Sequence, residues 1–125
     1  MRLLLDTRVF LWWREDNPRL GAEARRVIAV ASPCYVSAAS AWEVAVKMRT
    51  GKLRLPGPFE EAVEQSGISP LPITLAHAAA AAELPDYHAD PFDRMLIAQA
   101  RVEGLTLVTH DKRFEPYKIP VVWAY

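Results

Sequence analysis

Apolar and polar positions change period repeatedly along the 125-residue chain, and each change marks an element. Arg2 leads into an apolar run that continues to Leu5 and is closed by Asp6, the pattern of a strand buried on both faces. Thr7 follows as a candidate N-cap for a short aromatic-rich helix, Arg8 to Trp13, which Asn17-Pro18 breaks. Gly21 to Ala31 has helical period, with Ala24, Val27, Ile28 and Ala31 inward and Glu23, Arg25 and Arg26 outward. Pro33 ends it, and Cys34 to Val36 reads as a second strand. Ser37 then precedes a helix from Ala38 to Thr50 that is apolar nearly all round, a pattern that predicts burial. Gly51 to Gly57 is loop-like, with an alternation that predicts a brief hairpin arm. A helix from Pro58 to Ser66 follows, then an edge strand or extended link with two prolines at Ile68 to Ile73. Thr74 caps an alanine-rich helix that Pro85 stops after Leu84.

The stretch from His88 to Asp111 is the most explicit. Asp90 before Pro91 is the arrangement of an N-cap followed by proline at the first helical position. Asp93 falls at the third helical position, on the face that continues through Leu96, Ile97 and Ala100, with Arg94 and Arg101 opposite. Gly104 stops the helix, Leu105 to Thr109 is a short buried strand, and Asp111 follows it. A loop at Lys112 to Tyr117 and a strand at Ile119 to Trp123 complete the chain. Strands alternating with helices predict one α/β domain over residues 1–125, its mostly parallel sheet covered on both faces.

Composition narrows the class. The formal net charge is zero, so no strong overall field attracts nucleic acid, and a nucleic-acid function needs a local basic patch. The single Cys34 has no partner for an internal disulfide, which fits a reducing cytoplasm. Asp6 interrupts the apolar start too early for a secretory signal, and no apolar run approaches the roughly 20 residues of a membrane span.

Chemistry enters with the carboxylates. Asp6 and Asp111 each follow a strand and Asp93 opens a helix, so all three fall on the C-terminal side of the sheet, where α/β sites form. Glu43, among apolar neighbours, joins them if its helix packs across the crevice. Each acid also has a plainer role: a first-turn aspartate favoured by the helix dipole, a turn former after a strand, or a Glu43–Lys47 pair. Together, however, four crowded acids repel one another and stay ionised only around a multivalent cation. Oxygen ligands without paired cysteines select a hard ion, Mg²⁺ with Mn²⁺ as substitute, and His77, His88 and His110 read as scattered surface or supporting residues. Such a pocket serves phosphate chemistry. No glycine-rich phosphate loop is present, so a phosphodiester in RNA or DNA is the better substrate, its backbone met by Lys47, Arg49, Arg94 and Lys112.

With these residues assembled, the chain resembles the PIN-domain ribonucleases, and within them the VapC-type toxins of bacterial toxin–antitoxin pairs. The resemblance is carried by LLLDT, SAASAWEVAVK with GKLRLP after it, HADPFDRMLIAQA, and TLVTHD, in order along nearly the whole chain. It implies a PIN-like three-layer α/β/α fold with a central sheet of four to five strands. It also implies an acidic quartet of Asp6, Glu43, Asp93 and Asp111, with Thr7 and Thr109 supporting the metal shell and Asp90 as helix cap. Arg8 departs from the histidine or asparagine often found after DT in such sequences, a change at the pocket rim. The implied activity is that of a Mg²⁺-dependent endoribonuclease, a homodimer inhibited by a cognate VapB-like antitoxin. Two alternatives carry different expectations: a Mg²⁺-dependent phosphatase with a narrow pocket, and a catalytically weak RNA- or partner-binding domain using aromatics such as Phe10, Trp12, Trp13, Tyr35 and Trp42.

Overall fold

The computed structural model describes residues 1–125. Five strands form one sheet: β1 (Leu3–Leu5), β2 (Cys34–Ser37), β3 (Ser69–Leu71), β4 (Thr106–Thr109) and β5 (Val121–Trp123). Their order is β3-β2-β1-β4-β5 and every pairing is parallel. Six α-helices cover the faces: α1 (Thr7–Arg14), α2 (Ala22–Val30), α3 (Ala38–Arg49), α4 (Phe59–Ser66), α5 (Leu75–Glu83) and α6 (Pro91–Glu103). The architecture is three-layer α/β/α, as the alternation predicts.

The unbroken apolar run of β1 follows from its central place. Leu3 and Leu5 enter a core with Phe10, Leu20, Val27, Ile28 and Phe59, under α1, α2 and α4. Leu4 points the other way, into a core with Leu96, Ile97, Leu107, Phe114 and Tyr117 beneath α6. All three leucines are fully buried, each contributing roughly 1.5–3 kcal/mol of apolar burial. An alternating polar position in β1 would expose one of the two cores to a hydrophilic group.

From β1 the chain moves outward through β2 to β3, then returns to the opposite side of β1 for β4 and β5. The connections therefore diverge on the two sides of β1, and a crevice opens at the C-terminal ends of β1 and β4. Asp6 and Asp111 follow those two ends, so topology alone places them together.

Four local expectations are corrected. Asp6, not Thr7, caps α1: its Oδ1 accepts from Val9 N at 2.7 Å, and Thr7 is the first helical residue. Aspartate accepts this bond at the position one residue earlier, where the extended backbone leaves β1. The hairpin arm at Gly51 to Gly57 does not form. Gly51 takes φ +76°, and the amides of Lys52 and Leu53 both donate to Lys47 O, folding the loop back onto the end of α3. Lys112–Tyr117 is a 3-10 turn, nucleated by Asp111, whose Oδ1 accepts from Arg113 N at 2.9 Å. Finally, α3 is not buried all round: Trp42, Val46 and Met48 face solvent, with Trp42 62% exposed and its ring edge-on to Phe92.

Candidate functional site

The crevice is a cleft of about 380 Å³ whose lining includes Asp6, Glu43, Asp90, Asp93 and Asp111. Four separate segments deliver these acids. Asp6 is buried, its Oδ1 engaged by the α1 amide and its Oδ2 accepting from the Thr109 hydroxyl, which sits at the end of β4. One turn into α3, Glu43 is also buried. Its Oε1 accepts from Thr7 Oγ1 at 2.7 Å and its Oε2 from Lys47 Nζ at 2.6 Å. Because the single Thr7 proton goes to the carboxylate, the Ser40 hydroxyl 2.8 Å away donates to Thr7. Both readings of Glu43 hold together: it is paired with Lys47, and it lines the cleft.

Asp90 caps α6 as expected, its Oδ1 accepting from Phe92 N at 2.8 Å and Asp93 N at 3.1 Å. That cap orients the first turn of α6 so that Asp93 faces inward. Asp111 is held by Arg113 in a two-pronged contact, with Nε within 3.0 Å of Oδ1 and an outer nitrogen within 2.7 Å of Oδ2. This guanidinium holds the Asp111 carboxyl below its ordinary value.

Asp93 is the opposite case. Burial foremost, and then the charges of Asp90, Glu43, Asp6 and Asp111, push its pKa up to about 8. No lysine or arginine pairs with it directly. The neighbour that touches it is His88, whose Nε2 lies 2.8 Å from Asp93 Oδ2 and 3.8 Å from Asp111 Oδ2. Burial, and next the Arg113 charge, depress the imidazole below its ordinary value, so His88 is a neutral hydrogen-bond donor here. Its Nδ1 accepts from Asp90 N at 3.4 Å, which assigns the proton to Nε2. His88 thereby orients Asp93 while contributing no charge to neutralise it.

The expectation of scattered histidines is thus corrected. His88 is 4% exposed and lies within the acid cluster, fixed by Tyr117, whose hydroxyl accepts from His88 N at 2.9 Å. His110 stands at the rim, its Nδ1 3.6 Å from Asp6 Oδ2. Only His77 is remote: it completes the α5 cap with Thr74 and meets Glu103. Proximity in sequence to Asp90 and Asp111 was the available signal for the first two.

The basic residues divide. Lys47 lines the cleft, as do Arg8, Lys52 and Arg113, of which Lys52 and Arg113 were not singled out. Lys52 arrives because its loop folds back onto α3. Arg94 does not reach the cleft: its guanidinium donates to the carbonyls of Ala81, Leu84, Pro85 and His88, closing the end of α5 against α6. Ala81 and Leu84 lie at the end of α5 and Pro85 and His88 in the link that follows, so one planar fork ties the helix end to that link. Lys112 is likewise diverted, its Nζ 3.8 Å over the Trp123 ring, and Arg49 is exposed outside the cleft lining.

Comparison with known proteins gives the family. Residues 3–119 match the PIN domain family. The chain is 32% identical to Ribonuclease VapC22 of Mycobacterium tuberculosis over 127 residues, 97% of this chain and 98% of that one. It is 39% identical to Ribonuclease VapC16 of the same organism over 72 residues, about half of each chain. Among solved structures, its fold matches VapBC2 from Rickettsia felis bound to a promoter DNA fragment, with TM-score 0.73, 14% identity and 98% of both chains covered. It also matches a toxin-antitoxin complex from Klebsiella pneumoniae, with TM-score 0.69, 22% identity and 98% of both chains covered. A family match running from β1 through the 3-10 turn, joined by a relative aligned over nearly its whole length, shows that this chain belongs to the PIN-domain family.

Proposed function

We propose that the chain is a Mg²⁺-dependent endoribonuclease, with Mn²⁺ able to substitute, and the toxin of a toxin–antitoxin pair. The observation that carries the reading is Asp93, a carboxyl held near pKa 8 among four other acids with no cationic partner of its own. A divalent cation is the group that would relieve this repulsion, and carboxylate oxygens are the donors a hard cation takes. Asp6 and Asp93 would chiefly hold it, with Glu43 and Asp111 completing or tuning the shell. When bound, the ion acidifies an attacking water and neutralises charge developing on the phosphoryl oxygens.

The rest of the mechanism belongs to the chain. Thr109 and the α1 amide fix both oxygens of Asp6, and His88 fixes Asp93 through its Nε2 proton. Thr7 and Lys47 hold Glu43, and Arg113 holds Asp111, so each carboxylate meets the substrate in one orientation. Lys47, Lys52 and Arg8, spaced around the mouth, would take the phosphates on either side of the scissile bond. They form the local basic patch that a neutral chain needs for nucleic acid.

The end-to-end relative named as a ribonuclease supports RNA as substrate, and the neighbours solved as toxin–antitoxin complexes support a VapB-like antitoxin. A homodimer and a cytoplasmic location belong to the same reading. No helix is long and apolar enough to cross a membrane. Purified protein freed of any antitoxin should cut a mixed structured RNA with Mg²⁺ or Mn²⁺ and not with chelator, and Asp6→Asn should abolish cutting while leaving the fold intact. Undiminished turnover in Asp6→Asn would refute the site.

A further inference from the structure

Next to the acid cleft, and sharing Arg8 and His110 with it, lies a second open pocket of about 570 Å³. Its other walls are Trp12, Arg19 and Tyr125. The three rings form a continuous aromatic surface: His110 lies 5.2 Å from Trp12 and 6.4 Å from Tyr125, and Trp12 lies 6.2 Å from Tyr125. Trp12 is the buried back wall, whereas Tyr125 is 72% exposed and His110 partly so. Core packing does not account for such exposure in two of the three rings.

The backbone before Tyr125 is anchored. Ala124 N donates to Thr109 O at 2.8 Å and Gly21 N donates to Ala124 O at 2.6 Å, so the chain is tied to β4 and to the start of α2 just before Tyr125. A Cβ on Gly21 would come within 3.0 Å of Ala124 O, which explains glycine there. Arg8 and Arg19 are exposed and take part in no ion pair, leaving two free guanidinium groups at the pocket edge.

We propose that this pocket is a nucleobase subsite, in which a base next to the scissile phosphate stacks on Tyr125 and His110 while Arg8 and Arg19 hold its flanking phosphates. This rests on the ribonuclease reading, which it extends to the substrate: a single-stranded segment with an unpaired base. Exposed aromatic faces beside unpaired guanidinium groups are the chemistry that holds single-stranded nucleic acid, because every base has a stackable face and a charged backbone. The direction is set by connectivity. His110 follows Thr109 at the end of β4, so a strand passing the acids meets this wall at the next nucleotide.

The test uses fluorescence anisotropy in chelator, with labelled octa-adenylate RNA and an octamer of abasic ribose phosphate as probes, beside metal-dependent cleavage of a mixed RNA. Tyr125→Ala should weaken octa-adenylate binding about tenfold and leave the abasic octamer unchanged. Tyr125→Phe should stay within about twofold of wild type, and Arg19→Ala should weaken both probes. Thermal melts of Tyr125→Ala matching wild type would show that the fold is kept. Equal binding of octa-adenylate by wild type and Tyr125→Ala, or equal losses on both probes, would overturn the subsite. So would a change in molecular mass on substitution, which would make the patch an interface with a second copy. Cleavage by wild type with no effect at Tyr125 refutes the subsite alone. Base-dependent loss at Tyr125 without any cleavage refutes the ribonuclease and leaves the subsite standing.

Discussion

Replacing Asp93 by asparagine should stabilise the metal-free protein while destroying its activity. In the folded chain Asp93 keeps its proton up to about pH 8, whereas the unfolded chain releases it near 3.8. Between those values the folded state binds the extra proton, so this residue lowers stability as pH rises through that window and its cost levels off above it. The gap corresponds to a ceiling of roughly 6 kcal/mol, and titration shared with neighbouring acids brings the expected cost to about 2–3 kcal/mol. Asparagine has the shape of the protonated acid and retains an acceptor for His88 Nε2, so it removes the charge without breaking the contact. At pH 8 in chelator the variant should melt some 8–12 °C above wild type, and at pH 4 the two should coincide. His88, whose pKa is lowered, acts oppositely in both proteins: its contribution grows as pH rises toward 6.5, so the difference between the melts isolates Asp93. Added Mg²⁺ or Mn²⁺ should then raise wild type by about 3 kcal/mol at a hundredfold excess over its dissociation constant, and the variant by less. Thermal melts followed by circular dichroism at the two pH values decide the matter. A variant no more stable than wild type at pH 8 would refute the account of Asp93 as an uncompensated acid.

Two other substitutions probe the supports of the site. Arg113→Ala should let the Asp111 carboxyl rise toward its ordinary value, moving the acid limb of the cleavage pH profile upward; an unmoved limb would show that Asp111 ionisation does not govern the rate. Its stability cost at neutral pH should be below about 1 kcal/mol, because the contact is solvent-exposed on the arginine side, and any cost should vanish as pH falls through the lowered carboxyl value. Arg94→Leu should cost about 2–4 kcal/mol in urea unfolding by removing the charged donors to the Ala81 and Leu84 carbonyls, yet leave the salt dependence of RNA binding unchanged. A flatter salt dependence would return Arg94 to the group of phosphate contacts.

Much of this molecule is legible in its sequence because the informative signals are local. Asp90-Pro91 at the head of α6, Gly104 at φ +66° at its end, and the unbroken leucines of β1 are each dictated by backbone chemistry within a few residues. The gathering of Asp6, Asp93 and Asp111 could be argued from strand order, since it follows from which ends of a parallel sheet lie together. What resisted reading depends on side-chain direction after packing. His88 and His110 differ from His77 only in where the fold points them. Arg94 is one residue beyond Asp93, yet helical rotation turns it onto the α5 carbonyls instead of the cleft. Lys52 reaches the cleft only because its loop folds back onto Lys47 O, which no alternation of polar and apolar residues announces. The exposed Trp42 was hidden by a helix whose apolar composition exceeds what the elements packed against it cover.

The central position of β1 also has a consequence in time. As the chain is synthesised, β1 waits for two partners, Cys34 to Val36 on one side and Thr106 to Val108 on the other. Between synthesis of those partners lie roughly 70 residues, about 4–14 s of elongation at 5–20 residues per second. During that interval Asp6 has neither Thr109 nor Asp111 beside it, because both follow the later partner. A nascent chain therefore carries no assembled acid cluster until β4 and Asp111 have been translated, so the cleft is completed only after both halves of the sheet are made.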